Sequence, residues 1–343
     1  MSNRSSILII FTGGTIGMIK KVNNYVPINF NELIKYFPEI DELNYYLEII
    51  GFNPPIDSAE MSPKIWTKIV EIIEKNYTKF DGFVILHGTD TMAYTASAIS
   101  FMLQNLNKPI VFTGSQLPIG VHRTDAKENL ITSIEIAGSR SFGKAIVPEV
   151  CIYFENKLMR GNRTHKCSSN EFNAFSSNNY PILAQAGIDI NYNQNVISKG
   201  ALKTLKIHKK IKNTVGILKL FPGIAKENVY SLLRNDFFDA VILQTYGCGN
   251  TIQEKWFIDE LKDFNNKGKI LINTSQCETG NIVQGRYKTS QIFIDLEIIN
   301  SFDMTLESVV TKTMLLLGES SEKKIFKEKF EQSFCGELTK IEK

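Results

Sequence analysis

Short, uninterrupted apolar runs alternate with segments of helical period along most of the chain. Residues 6–11 (SILIIF), 83–88 (FVILHG) and 110–115 (IVFTGS) are apolar at consecutive positions, and each ends in a turn of small or hydroxyl residues. Strands that do not alternate inside and outside are covered on both faces, which predicts a parallel sheet between layers of helix. The intervening segments supply the helices. Ser62-Pro63 opens one through IWTKIVEIIEKNY, a second runs from about Asp90 to Gln104, and a third follows a capping residue in TDAKENLITSIEIAG. The pattern lapses around 190–213, where INYNQNVISKG and HKKIKN are polar and weakly periodic. It resumes as VGILKLF, ENVYSLLRN, AVILQTYG, IQEKWFIDELKDF and KILINTSQ. A helix over Met304–Leu317 and the charged helix KKIFKEKFEQ come last. The expected architecture is α/β. A larger N-terminal domain (1–190) holds a mostly parallel sheet flanked by helices, and a linker (191–212) joins it to a smaller, flavodoxin-like α/β domain (213–343).

Length and composition narrow the function classes. A chain of 343 residues fits two domains, and 43% hydrophobic with 22% charged residues is the balance of an ordinary globular protein. The formal net charge is +3, from 39 basic against 36 acidic residues, so no nucleic-acid or membrane partner is expected. Five cysteines, at 151, 167, 248, 277 and 335, form no CxxC pair and read as free thiols in a reducing compartment. The start, MSNRSSILIIF, has only a short apolar run before TGG, unlike a secretory signal, and no run approaches the ~18 residues of a membrane span. The expected compartment is the cytoplasm.

In open parallel sheets ligands sit beyond the carboxyl ends of the strands. That directs attention to Thr12-Gly13-Gly14-Thr15, Asp57-Ser58, His87-Gly88-Thr89-Asp90-Thr91 and Gly114-Ser115-Gln116. The first turn is a poor dinucleotide fingerprint, because Thr12 stands where its first glycine belongs and no ribose-binding acid follows about twenty residues on. There is no Walker lysine. The four histidines, 87, 122, 165 and 208, have no metal-ligand spacing, so neither metal nor cofactor is expected. What remains is hydroxyl nucleophile chemistry. A threonine hydroxyl attacks only when a neighbour removes its proton. Thr15, preceded by glycines, can point into a cleft beside backbone N–H groups suited to a developing oxyanion. Thr89-Asp90 and Lys166, in Arg160-Gly161-Asn162-Arg163-Thr164-His165-Lys166, supply a hydroxyl, an acid and an amine. Structural readings stand beside these. Thr89-Asp90 also suits a helix cap, Thr15 a turn, Lys166 a solvated surface and His87 a strand end satisfied by backbone.

Longer motifs add a resemblance. Thr12-Gly13-Gly14-Thr15-Ile16-Gly17-Met18, Tyr25-Val26-Pro27, Asp81 through Met92 (DGFVILHGTDTM), Thr113-Gly114-Ser115-Gln116 and Arg160-Gly161-Asn162-Arg163 form one set. Tyr246-Gly247-Cys248-Gly249-Asn250 and Thr274-Ser275-Gln276-Cys277 continue it. From about residue 6 to about 339 the chain resembles the L-asparaginase family of the bacterial cytosolic type (type I). The resemblance implies Thr15 as nucleophile on the side-chain amide carbon of asparagine, with Tyr25 on a mobile loop assisting it. Thr89, Asp90 and Lys166 would form a second catalytic group. Asp90 would grip the substrate ammonium and Ser58 with neighbouring backbone its carboxylate, in a set of substrate contacts that also includes Asp57, Ala59, Thr89, Ser115 and Asn250. Asn250 would come from the second subunit of a homodimer or homotetramer. Water would release aspartate from the acyl-enzyme, with ammonia already freed, no cofactor needed and minor glutaminase activity left open. Residues 17–30, without clean periodicity, suit a lid. Rival readings are an ammonia-supplying amidotransferase subunit, expected to carry a further N-terminal domain, and a non-catalytic amino-acid sensor, expected to lack one of the catalytic groups. The family's effector site for a second asparagine typically has Thr, Arg and a Thr-x-Cys segment where this chain has His165, Gln244 and Ser275. Cys277 alone agrees, so loss of homotropic activation is expected.

Overall fold

A computed structural model describes residues 4–339 except 22–23, 29–31, 34 and 321, and leaves the side chains of Lys20, Lys21, Asn24, Tyr25, Pro27 and Asp41 undescribed. The chain divides into two compact units, Met1–Lys209 and Lys210–Lys343.

The sheet of the first unit is built on β1 (Ser6–Phe11), β2 (Tyr46–Gly51), β3 (Gly82–Leu86), β4 (Ile110–Thr113), β5 (Val150–Phe154), β6 (Lys157–Arg160), β7 (Ala184–Ala186) and β8 (Ile190–Tyr192). Their spatial order is β2-β1-β3-β4-β5-β6-β7-β8. Strands β1 to β5 pair in parallel and β5 to β8 antiparallel. Every residue of β3, β4 and β5 is buried, as their unbroken apolar sequences require. Helix α1 (Pro63–Asn76) has proline at its first position, and its buried Trp66, Ile69, Val70 and Ile73 recur at helical spacing. Helix α2 (Met92–Met102) is buried almost all round, and α3 (Ala126–Gly138) buries Leu130, Ile134 and Ile136.

Two features depart from the sequence reading. The second helix stops at Met102, and Leu103–Gln104 turns out to pair with Lys206–Ile207. Of 191–212, read as a linker, residues up to Tyr192 finish β8 and 206–207 form that ribbon. Both pieces are short and at most half-buried, so they leave no hydrophobic period to read.

The second unit carries a parallel sheet of β9 (Val215–Lys219), β10 (Ala240–Thr245), β11 (Ile270–Ser275) and β12 (Ile299–Asn300), in that order. Helices α4 (Lys226–Leu233), α5 (Lys255–Asn266), α6 (Leu306–Glu319) and α7 (Lys323–Phe330) accompany it, with a short helical turn at Gln291–Asp295. Its core packs Val229 and Leu233 of α4 and Phe257, Leu261 and Phe264 of α5 against the strand residues Val241, Leu243 and Leu271.

Candidate active site

At the carboxyl end of β1, Thr12 turns its N–H and its hydroxyl to the carbonyl of Leu86 at the end of β3, at 3.0 and 2.9 Å. Gly13 (φ +132°) and Gly14 (φ +91°) follow, then a single 3-10 turn, Thr15–Gly17. Both glycines are obligatory on two counts, since positive φ strains other residues and there is no room for a side chain. A Cβ on Gly13 would lie 2.3 Å from the carbonyl oxygen of Ile56, and one on Gly14 2.4 Å from the nitrogen of Gly88. The contact continues around the site. A Cβ on Gly88 would meet the Ser58 hydroxyl at 2.6 Å, and one on Gly114 the His87 carbonyl at 2.3 Å. The turns singled out in the sequence therefore lie in close contact, backbone to backbone at Gly13, Gly14 and Gly114 and through the Ser58 side chain at Gly88, with Thr15 half-buried beside them.

Lys166 reaches this cluster from elsewhere in the fold. It sits on the two-residue strand His165–Lys166, paired antiparallel with Phe175–Ser176. Its Nζ donates to Thr89 Oγ1 at 2.8 Å and to Asp90 Oδ1 at 2.6 Å. The lysine side chain is largely buried, 16% exposed, whereas that of Asp90 is 69% exposed. The carboxylate thus keeps an open side toward solvent.

Gln116 was not assigned to the site from the sequence. Its Oε1 accepts the Thr89 hydroxyl at 3.2 Å and its Nε2 donates to the Glu171 carbonyl at 2.9 Å. A carbonyl only accepts, so the amide has one orientation, and Thr89 receives from Lys166 while donating to Gln116. The Asp125 carboxylate holds the same loop by accepting from the N–H groups of Gln116 and Leu117. The available signal was position, because Gln116 follows β4 on the loop that also carries Ser115.

Asp57 caps the 3-10 turn Ser58–Glu60 by accepting from Ala59 N at 2.9 Å. Ser58 is buried and its carbonyl accepts from Thr91 Oγ1 at 2.7 Å. Ser115 is buried with its hydroxyl donated to Leu117 O at 2.6 Å, so it is already engaged within its own loop. Tyr25 lies opposite Lys20 in an antiparallel hairpin, Met18–Lys21 with Asn24–Pro27, where the sequence suggested an irregular lid; its side chain lies outside what is described. In the second unit, Asn250 Oδ1 accepts from Thr289 Oγ1 at 2.8 Å. Gln244 and Ser275 close neighbouring strands there, with Cys277 N donating to Ser275 Oγ.

His87, just before Gly88, is fully buried, and burial pushes its pKa down to about 4. It stays neutral at pH 7 and donates from Nδ1 to the Gly88 carbonyl at 2.7 Å. Among the described residues, no three or more His, Cys, Asp or Glu side chains group as metal ligands.

Comparison with known proteins decides the family. The family model "Asparaginase, N-terminal" matches residues 6–198, and "Glutaminase/Asparaginase C-terminal domain" matches 214–330. The chain belongs to the asparaginase family. It is an amidohydrolase of that family. L-asparaginase 1 of Escherichia coli K12 is 37% identical over 339 residues, covering 98% of both chains. A mouse protein named 60 kDa lysophospholipase is 34% identical over 93% of this chain and 60% of its own. The crystal structure of L-asparaginase I from Vibrio cholerae superposes with a TM-score of 0.89 at 37% identity, over 98% of this chain and 100% of that one. No helix among the described residues is long and apolar enough to cross a membrane.

Proposed function

We propose that this asparaginase-family chain hydrolyses L-asparagine to L-aspartate and ammonia through Thr15, in the cytoplasm. The observation that carries the reading is the approach of Lys166 to Thr89 and Asp90, at 2.8 and 2.6 Å, on the turn against which Gly14 is packed. It supports two hydroxyls facing one substrate, one to attack and one linked to an amine that can hold a proton.

In this mechanism Thr15 Oγ adds to the side-chain amide carbon while its proton is withdrawn, and Tyr25 assists. Backbone N–H groups of the glycine turns stabilise the oxyanion. The C–N bond breaks, the nitrogen takes a proton and leaves as ammonia, and an ester to Thr15 remains. Water then attacks that ester. Thr89 orients the water, whose proton passes to Lys166 in its neutral amine form and on to Thr15 Oγ as the ester C–O bond breaks, releasing aspartate and restoring the Thr15 hydroxyl. Asp90, anionic and open on one side, holds the substrate ammonium. The Asp57-Ser58-Ala59 turn takes the α-carboxylate, and Ser115 packs beneath the side chain. One added methylene costs only ~1–3 kcal/mol in such a pocket, so glutamine is a minor substrate. The N-terminal unit carries this chemistry. The working form is a homodimer or homotetramer in which Asn250 of the partner subunit enters the site.

The test is steady-state release of ammonia and aspartate from asparagine and glutamine. Thr15→Ala should fall below about a hundredth of wild-type kcat with its fold intact, and Thr89→Val should be nearly as damaging and not additive with it. A Thr15→Ala protein that retains more than about a tenth of wild-type kcat refutes the nucleophile assignment.

A further inference from the structure

A cavity lies within the first unit, at the end of the sheet opposite the candidate catalytic turns. Asp81, Lys108 and Pro148, which line it, sit just before the amino ends of β3, β4 and β5, and the carboxyl ends of β3 and β4 lead to the candidate catalytic turns. Its volume is about 340 Å³, at the small end of the range for metabolite pockets. The lining is strongly one-signed, with Lys108, Arg140, Lys144 and Lys199 against the single carboxylate of Asp81. A chain of net charge +3 has thus gathered an equal excess around one cavity. One-signed clefts focus the field on a counter-ion.

The carboxylate is divided between Ser6 and Arg140. Asp81 Oδ2 accepts from the N–H and the hydroxyl of Ser6, at 2.9 and 3.0 Å, and Oδ1 stands 3.8 Å from Arg140. Lys108 and Arg140 are half-buried cations held in place by carbonyls. Lys108 donates to Tyr77 O and Phe80 O, and Arg140 to Ser139 O and Asp81 O. These bonds fix both head groups and leave further N–H donors on each. Burial lowers the pKa of both, Asp81 offsets part of the effect, and the charge of Arg140 lowers Lys108 further. A bound anion relieves that strain. Arg140 also belongs to a tight hairpin, Arg140–Ser141 with Lys144–Ala145, whose tip residues Phe142 and Gly143 both have positive φ.

We propose that this cavity is a binding site for a multiply charged oxyanion of the phosphate type, either free phosphate or diphosphate or the phosphoryl end of a small metabolite. A single carboxylate would leave most of the local charge uncompensated, whereas a phosphoryl group offers several acceptor oxygens to a guanidinium and ammonium groups together. Pro148, Ala201 and the exposed Leu202 form an apolar wall against which an organic body would rest.

The test is isothermal titration of the full-length protein with inorganic phosphate, pyrophosphate and AMP, with chloride adjusted to keep ionic strength constant. Two variants are titrated alongside, Arg140→Gln and the exposed Lys199→Glu, which keeps the experiment readable if the first fails to fold. Saturable binding to the wild type, weakened roughly tenfold or more in the variants by the lost or reversed charge, is the expected result. Tighter binding of AMP than of inorganic phosphate identifies an organic ligand, and the reverse order an inorganic one. No saturable heat up to about ten millimolar, a range covering weak metabolite affinities, overturns the proposal. Binding that is unchanged in both variants also overturns it, because the anion then sits elsewhere, as it would in the catalytic cleft.

Discussion

Acidification should loosen the catalytic turn through His87, and the effect has a calculable size. The imidazole is fully buried against Phe112, with its Nδ1–H on the Gly88 carbonyl, and its pKa falls from the ordinary 6.5 to about 4. The folded state therefore refuses a proton that the unfolded chain binds. Stability contributed by this residue is intact above about pH 6.5 and is lost as pH falls toward 4. At 1.36 kcal/mol per pH unit the whole interval corresponds to about 3 kcal/mol, and about 2 kcal/mol of it is gone by pH 5. Comparison with a non-titrating variant isolates this term from the carboxylates. His87→Asn places an amide N–H where Nδ1–H was and leaves a small cavity. Near pH 8 it should be less stable than wild type by about 1–3 kcal/mol. The assay is urea unfolding of both proteins at a series of pH values. By pH 5 the deficit of the variant should narrow by about 2 kcal/mol. If the two stability curves run parallel from pH 8 to 5, His87 does not titrate as argued and its ring is reached by water or by a charge partner.

Other perturbations follow from the site geometry. Lys166→Met should lower kcat by roughly two to four orders of magnitude with KM changed only a few-fold; a change confined to KM would make the lysine a substrate contact. Gln116→Leu removes the acceptor of the Thr89 hydroxyl and should lower kcat by about five- to a hundredfold, the range for one buried hydrogen bond, with KM nearly constant. Gln116→Glu keeps an acceptor in place and should recover part of that loss, so equal kcat in wild type and Gln116→Leu would reduce Gln116 to loop support. Rate against asparagine concentration should be hyperbolic with a Hill coefficient near one. Gln244 cannot supply a guanidinium grip on a carboxylate, and the Ser275 hydroxyl is held by Gly247 O at 2.6 Å. A sigmoidal curve would show that an effector site persists in another form.

The parts that were legible in the sequence share a physical cause. β1, β3 and β4 are buried on both faces, so their apolar runs are unbroken, and the polar residues that follow them stand out against that background. Thr15, Thr89 and Asp90 were visible in this way. β2 was not, because as an edge strand it leaves half of YLEIIG exposed and shows no run. Lys166 is 76 residues from Asp90 on a strand of two residues, and no local period points to it. The sequence offers it as a candidate amine, but spacing alone does not show that it reaches Thr89 and Asp90. Gln116 stayed hidden for a different reason. Its role lies in which way an amide faces, and that is set by a backbone carbonyl 55 residues along the chain.

The stack of glycines beneath the site has a practical meaning for redesign. Gly13, Gly14 and Gly114 set the distance between neighbouring turns by the thickness of the main chain itself, and Gly88 leaves room for the Ser58 side chain. A saturation library at these positions should return only the parent residue, since the obstructing atoms are mostly backbone and cannot rotate away. Altered selectivity has to be sought outside this floor, as in the hairpin that follows Gly17 in the chain or the Glu171 loop that steadies Gln116. Variation there leaves the spacing of the chemistry unchanged while reshaping what reaches it.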